Sequence, residues 1–311
     1  MALSIGTAVG SGFNLIGRRP LAVIGWGFFV SLAALVFVVL LFVGAGAGTL
    51  TQLRPGGDPT AQAQAMARFF ATIWPLFLLF IIGLLFVNAM VQGAVFRSVL
   101  QPDVRGFASI RLGAEEVQLF LLFLVFFVFA IVCEVASIIV IGIFSLVGRA
   151  IGGGGGVAIT VLLCVAYLFA LSWFVVRFSL AAPMTFSEKR VRFFGSWEAT
   201  RGEGWRLYGM AWLLALIMLG CVIAYYILSL IVGLVFVGMG MAAVGGLAGG
   251  FQNLAQNPGA IGGAWPILLI YGLVSIVFGA AFTGGTQAIL QAPFADAYRQ
   301  LKGPDAAATF S

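Results

Sequence analysis

The sequence predicts an all-α polytopic membrane protein: six transmembrane helices forming three hairpins, with short amphipathic helices at the cytoplasmic interface. Three observations predict it. The 311-residue chain is 62% hydrophobic and only 8% charged, whereas soluble domains carry about 25% charged residues. Six apolar stretches each reach the ~20 residues that a helix needs to cross the hydrocarbon, where a backbone without water must satisfy its own hydrogen bonds. All of the 16 Lys and Arg residues except Arg54, Arg68 and Arg149 fall on one side when the stretches are threaded alternately. By the positive-inside rule that side is the cytoplasm. Both termini then lie there, in a multi-pass membrane protein. Runs such as Leu119–Val132 lack the polar and apolar alternation of a barrel strand.

The spans fall at roughly 21–44, 70–96, 117–146, 157–182, 207–242 and 265–291. The first follows Arg18-Arg19 and Pro20, and its apolar run to Val43 is too long for the core of a signal peptide. The third and fifth exceed a straight crossing, so they tilt, protrude or break. Gly142 and the Gly238–Gly250 region are the candidate break points. Of the outer segments, 45–69 is rich in Gly, Ala and Pro, 148–156 contains the run Gly152–Gly156, and 245–264 holds no charge. None has the makings of a folded domain. The glycine run lacks the Lys-Ser/Thr of a phosphate loop.

The segments before spans one, three and five share a pattern: Phe13-Asn14-Leu15-Ile16-Gly17-Arg18, Phe107-Ala108-Ser109-Ile110-Arg111-Leu112-Gly113 and Phe194-Gly195-Ser196-Trp197-Glu198. Each is expected to form a short helix with its apolar side down on the membrane. The returning spans end in Gln92-Gly93-Ala94, Ala181-Ala182-Pro183 and Gln291-Ala292-Pro293. The reading is one membrane domain over 1–311 built from hairpin repeats 1–103, 104–190 and 191–303, with a pseudo-axis along the membrane normal.

The chain has no His and only three Cys (Cys133, Cys164, Cys221), each in a different span. This removes the commonest metal ligand and acid–base group and any Cys-x-x-Cys zinc pattern. Glu115 and Glu116 are adjacent and splay apart on a helix. No nucleophile–base pair appears, so no catalytic, cofactor or metal residue is assigned and the chain is expected to be non-enzymatic. The net charge of +6 reads as a topology signal with attraction to anionic headgroups, and not as nucleic-acid binding.

Glu134 is the one acidic residue inside a span, which costs a few kcal/mol and demands a reason. It lies about 24 Å above Gln118 at 1.5 Å per residue. Matching depths bring Tyr167, Tyr225, Tyr226 and Tyr271 near its level, a candidate intramembrane polar site. The alternatives are a carboxyl group hydrogen-bonded between helices or reaching Arg149. Arg177, Arg201 and Arg206 are candidate lipid-headgroup contacts, with Glu198 as an alternative partner for Arg177. The charged stretch Glu188–Arg206, with Trp197 and Trp205 interleaved, belongs at the membrane surface. Asn88 and Gln92 read as packing residues, and Gly6/Gly10, Gly245/Gly249 and Gly246/Gly250 as close helix contacts.

Leu180-Ala181-Ala182-Pro183, then Ser196-Trp197, Thr200-Arg201-Gly202 and Trp205-Arg206-Leu207-Tyr208-Gly209, with the ending Ala292-Pro293-Phe294-Ala295-Asp296-Ala297-Tyr298, carry a family resemblance. They resemble the membrane domain associated with bacterial glycerophosphoryl diester phosphodiesterases. They are also similar to six-helix inner-membrane proteins of the YciC type. The resemblance covers residues 170–303 best. It implies the membrane fold and a connection to lipid. In fused members hydrolysis belongs to a separate soluble barrel using Glu, Asp and His, so no catalytic residue is carried over. The expected function is lipid or envelope homeostasis through phospholipid binding. The alternatives are an accessory subunit of a larger membrane complex, or a transporter coupled through Glu134.

Overall fold

The computed structural model describes residues 3–45, 59–101, 109–244 and 264–302. Helices account for nearly all of them, and six are long and apolar enough to cross a membrane. They are α1 (Ile5–Arg18), α2 (Pro20–Ala45), α3 (Pro59–Leu100), α4 (Ala114–Ile151), α5 (Gly153–Val176), α6 (Ala181–Glu188), α7 (Gly195–Ala199), α8 (Gly204–Val244) and α9 (Trp265–Lys302). Asp58 and Arg54, Arg105, and the Gly245/Gly249 and Gly246/Gly250 pairs lie outside the described residues.

The spans pair as α2 with α3, α4 with α5, and α8 with α9, and α9 packs against α2 to close the ring. That closure is tight because small residues line it. A Cβ on Gly27 of α2 would overlap the Ala280 carbonyl oxygen, and one on Gly284 of α9 would overlap that of Val23. Ala280, Gly284, Ala288 and Ala292, four residues apart, form one buried face of α9. Such stripes let helix backbones approach closely in a membrane. Gly6 and Gly10 are different: a Cβ at either meets nothing within 4 Å, so the contact expected of them is absent.

α1 is amphipathic, as its sequence predicts, but its apolar side is turned onto protein. Ala8, Val9, Gly12 and Leu15 are buried, mainly against α9. A Cβ on Gly12 would lie 2.9 Å from the Ile289 Cα. The Ser4 N–H donates to Gln300 Oε1 at 2.8 Å, and Gln300 Nε2 to Thr7 Oγ1 at 3.1 Å. Arg19 breaks the chain direction, and Pro20 opens α2 at the position where a missing N–H costs nothing. α7 supplies the interfacial helix before span five. Before span three the described residues 109–113 are not helical, because Gly113 and Ser109 serve the ion pair described below.

Neither long span breaks within the described residues; 245–250 of the second candidate region lie outside them. α4 runs 38 residues through Gly142, and α8 runs 41 residues through Gly238 and Gly240. At 1.5 Å per residue they extend about 57 and 62 Å, so they protrude. Nor is the glycine run a loop. α4 ends at Ile151, Gly152 and Gly153 turn the chain with φ of 76° and 59°, and α5 already includes Gly153–Gly156. Those two positive φ values suit glycine. Gly148 and Gly156 then meet so closely that a Cβ on Gly156 would overlap the Gly148 carbonyl. Thr160 Oγ1 stands between helix ends, donating to the Gly156 carbonyl at 2.9 Å. Span four bends instead at Arg177–Leu180, where the Arg177, Phe178 and Ser179 N–H groups donate to carbonyls three residues back.

The three hydrophobic clusters all gather at the end that carries Arg18, Arg97, Arg177 and Arg299, hereafter the basic end. They join Leu15, Val23 and Trp26 to Val91 and Val95; Phe96, Leu119 and Leu122 to Phe178 and Phe186; and Leu180, Met184, Leu207 and Met210 to Ile289 and Tyr298. Farther out the hairpins part. Residues 134–136, 141–143 and 149–151 of α4 are all exposed, and three consecutive residues sweep about 200° of a helix. α5 is likewise exposed at 157–159 and 168–170.

Candidate functional site: the basic end of the bundle

Gly27 touching Gly284 sets a depth scale. α2 and α9 are antiparallel, so Pro20 and Gln291, each seven residues away toward the basic end, lie at one level. That level is where span one begins. Beyond it α3 continues to Leu100 and α9 to Lys302, about 12–16 Å at 1.5 Å per residue.

Two amide pairs stand at and above this level. Gln287 Nε2 donates to Asn88 Oδ1 at 3.2 Å, and Gln92 Nε2 donates to Gln291 Oε1. Asn88 and Gln92 are one turn apart, as are their partners, so the pairs form a ladder between parallel stretches of α3 and α9. The expectation of a packing role agrees with this placement.

Just beyond the ladder lies a buried ion pair. Arg97 Nη2 donates to Glu116 Oε1, with the two side chains 7% and 0% exposed. Arg97 Nη1 also donates to the Ser109 carbonyl at 2.6 Å, and its guanidinium lies 5.6 Å from the Phe186 ring centre. Glu116 Oε2 accepts from the Gly113 N–H at 3.0 Å, the carboxylate half of a capping box whose first residue, a glycine, has no side chain to reciprocate. Ser109 takes a left-handed backbone (φ 50°). Sequence reasoning counted Arg97 as a topology charge and missed this pair. The Gly113-x-x-Glu116 spacing was the available signal.

Of the other acids of this end, Glu198 is exposed without an ion pair among the described residues, and the rest are paired at its surface. Glu115 meets Lys189 at 3.1 Å, Glu188 meets Arg192 at 2.9 Å and Lys302 at 3.8 Å, and Glu203 meets Arg206 at 3.3 Å. Asp296, 5% exposed at its side chain, pairs with Arg299 and accepts from Gln300 Nε2 at 2.8 Å. Among the described residues Arg18, Arg111, Arg190 and Arg201 form no ion pair. A surplus of cations is left on this face.

Of the three headgroup candidates, Arg177 is committed to the protein. Its Nη2 donates to the Trp197 carbonyl at 3.0 Å and its Nε to Thr200 Oγ1 at 3.2 Å. The guanidinium lies 4.0 Å from the Trp197 ring centre and 5.4 Å from that of Trp173. Glu198 is not its partner. Ser196 Oγ donates back to the Arg177 carbonyl at 2.8 Å, so this one residue fastens the segment 194–200 to the bend in span four. Arg206 is paired, and Arg201 is exposed.

Glu134 shares the α4–α5 pair with Tyr167 alone, whereas Tyr225, Tyr226 and Tyr271 belong to α8 and α9. Glu134 is exposed and makes no hydrogen bond or ion pair among the described residues, with Arg149 or otherwise. The Tyr167 hydroxyl pairs with Ser137 Oγ at 2.9 Å, between α4 and α5. Tyr225 stacks on Phe282 and Phe278, with ring centres 4.1 and 5.1 Å apart, and Tyr271 packs on Phe236, all between α8 and α9. Tyr226 is 68% exposed. Depth was matched, but direction round the helices was not, so no ring of hydroxyls surrounds the carboxyl group. The cysteines are free, and no group of three or more Cys, Asp and Glu among the described residues is placed to hold a metal.

Between α1 and the ends of α3 and α9 lies a cleft of about 560 Å³ that Gly6, Gly10, Asn14, Arg18, Ser98 and Arg299 help to line. Compared with known protein families, curated proteins and solved structures, the chain matches none.

Proposed function

We propose that this integral membrane protein is non-enzymatic and binds phospholipid at its basic end, in a bacterial inner membrane with both termini in the cytoplasm. The observation that carries the reading is the contrast along the bundle. Among the described residues the clusters that join the hairpins lie toward the basic end, with the α2–α9 seam extending farther out, while the outer parts of α4 and α5 are exposed on most sides. Acyl chains are the material that fills such a space between hairpins. The surplus cations at the packed end attract anionic headgroups, each contributing about 1 kcal/mol near a charged surface. The resemblance to membrane domains associated with glycerophosphodiester hydrolysis points the same way.

Native mass spectrometry of the protein extracted gently from its own membrane tests this. The expected spectrum is a folded particle retaining a selected phospholipid at fixed stoichiometry. A folded, monodisperse particle with no lipid, or with lipids in bulk proportions, overturns it.

One observation favours a second reading, an accessory subunit of a larger complex. Glu134 stands on an exposed face in the outer half of α4 without a partner among the described residues, and intramembrane carboxyl groups normally have one. A donor on another protein's helix would supply it. The same spectra then show a larger assembly with a constant partner, and a lone particle counts against the subunit.

A further inference from the structure

We infer that the cleft beneath α1 is the binding site for a phosphate-bearing headgroup. The inference rests on the lipid-binding reading above and names its site.

The cleft exists because of how α1 is built. Thr7, Gly10, Ser11, Asn14 and Arg18 recur every three or four residues and so share a face. The opposite face is buried on α9, which turns the polar stripe into the cleft. Gly6 and Gly10 lower its wall: a Cβ on either would enter open space. Ser98 of α3 and Arg299 of α9 form the facing side. The volume, about 560 Å³, falls within the 300–1,000 Å³ typical of small-molecule sites.

Its chemistry is that of an anion receptor. Arg18, in the last turn of α1, is exposed and forms no ion pair among the described residues. Arg299 is held by buried Asp296, yet its side chain remains 54% exposed. A guanidinium has five donors, so one carboxylate leaves others for a ligand. Two arginines and one aspartate give a net charge of +1, the complement of a phosphodiester monoanion. Arginine's planar fork suits phosphate oxygens. The Asn14 side-chain amide supplies a further donor, whereas the Ser11 and Ser98 hydroxyl groups donate to the Ala8 and Ala94 carbonyls at 2.6 and 2.8 Å.

Its depth borders that of headgroups. Arg18 is two residues below Pro20, while Ser98 and Arg299 are six and eight residues beyond Gln92 and Gln291. That is about 9–12 Å past the start of the span, just below the layer of about 5–8 Å that headgroups occupy on each side. Free phosphate compounds share this chemistry, so the experiment separates the sources.

The purified full chain in neutral detergent is titrated with dihexanoyl phosphatidylglycerol, dihexanoyl phosphatidylcholine or inorganic phosphate, binding being read by native mass spectrometry. Arg18→Gln/Arg299→Gln is expected to weaken phosphatidylglycerol binding by tenfold or more. Gly10→Leu, whose Cβ meets nothing within 4 Å and whose isobutyl group occupies the open cleft, is expected to abolish binding while leaving the unfolding midpoint unchanged. Binding of inorganic phosphate that Gly10→Leu abolishes, without lipid binding, identifies a soluble phosphate ligand for the same site. If the unaltered protein retains phospholipid and Gly10→Leu retains it equally well, the assignment of the cleft is wrong although lipid binding stands. If the unaltered protein binds none of the three, both readings fail.

Discussion

Removing one member of the Arg97–Glu116 pair is the most informative perturbation of the fold. The pair lies about 7 Å beyond the level of Gln92 at 1.5 Å per residue, yet both side chains are sealed from water. Glu116 accepts from Arg97 and from the Gly113 N–H, and Arg97 also donates to the Ser109 carbonyl. Glu116→Gln keeps the shape and the Gly113 contact but leaves a buried guanidinium that cannot give up its proton. Arg97→Met leaves a carboxylate that can neutralise itself by taking one up. Breaking a buried pair from one side costs about 3–5 kcal/mol, and the arginine left alone belongs at the upper end of that range. At about 2–3 °C per kcal/mol, the unfolding midpoint falls by about 6–15 °C. In the double variant Arg97→Met/Glu116→Leu no buried charge remains, and its loss is clearly smaller than the sum of the single losses. Thermal unfolding followed by size-exclusion fluorescence in one detergent reads all four proteins. Strictly additive losses, or single losses under about 2 °C, would refute the claim that the two charges depend on each other.

The seam between α2 and α9 gives a second prediction. Gly284→Leu drives a side chain into the Val23 carbonyl and is expected to cost more than 3 kcal/mol or prevent folding, since overpacking costs about 1–3 kcal/mol even where neighbours can adjust. The same measurement on Gly6→Ala should show no loss. At the α4–α5 turn, Gly152→Ala is expected to lose about 1–3 kcal/mol, since φ 76° with ψ 166° is open essentially to glycine alone, while Gly154→Ala, helical and unobstructed, holds or gains stability. Equal effects at the two positions would reject the turn. Arg177→Lys should free segment 194–200, because an ammonium cannot reproduce the forked donors stacked on Trp197. Limited proteolysis of reconstituted protein is expected to cut there at least several times faster, and unchanged cleavage would count against Arg177 as the fastening residue.

How much of this was legible follows from which physical signal each feature leaves in a sequence. The spans were plain because twenty apolar residues leave a lipid-embedded backbone one option. The helix continues through Gly142, and through Gly238 and Gly240 of the 238–250 region, because a helix surrounded by hydrocarbon has no competing solvent and glycine alone does not end it. The glycines at 152–156 looked like a loop because composition does not show that only the first two need unusual dihedrals. The Glu134 cluster failed in azimuth. Rise per residue gives height, but α4, α5 and α8 are apolar on every side, and nothing in their sequences tells which side meets a neighbour. α1 did carry a periodic pattern, and its helix was predicted, although the pattern could not distinguish a membrane surface from the flank of α9.

The threefold hairpin repeat remains our proposal. What supports it is a set of equivalent positions. Gln92 and Gln291, placed at the same point of two returning spans, bond to each other, and Ala181 at the third is fully buried. Four residues on in each, Phe96, Thr185 and Ala295 are all fully buried.

A bundle fastened at one end behaves differently from one packed along its length. The hairpins resemble the legs of a tripod whose joint lies near one leaflet's surface. The Gly27–Gly284 seam ties two of the legs together about 10–16 Å into the span, so leaning falls to the α4–α5 leg, which that seam does not hold. Bilayers of different thickness are then accommodated by leg angle while the joint stays intact.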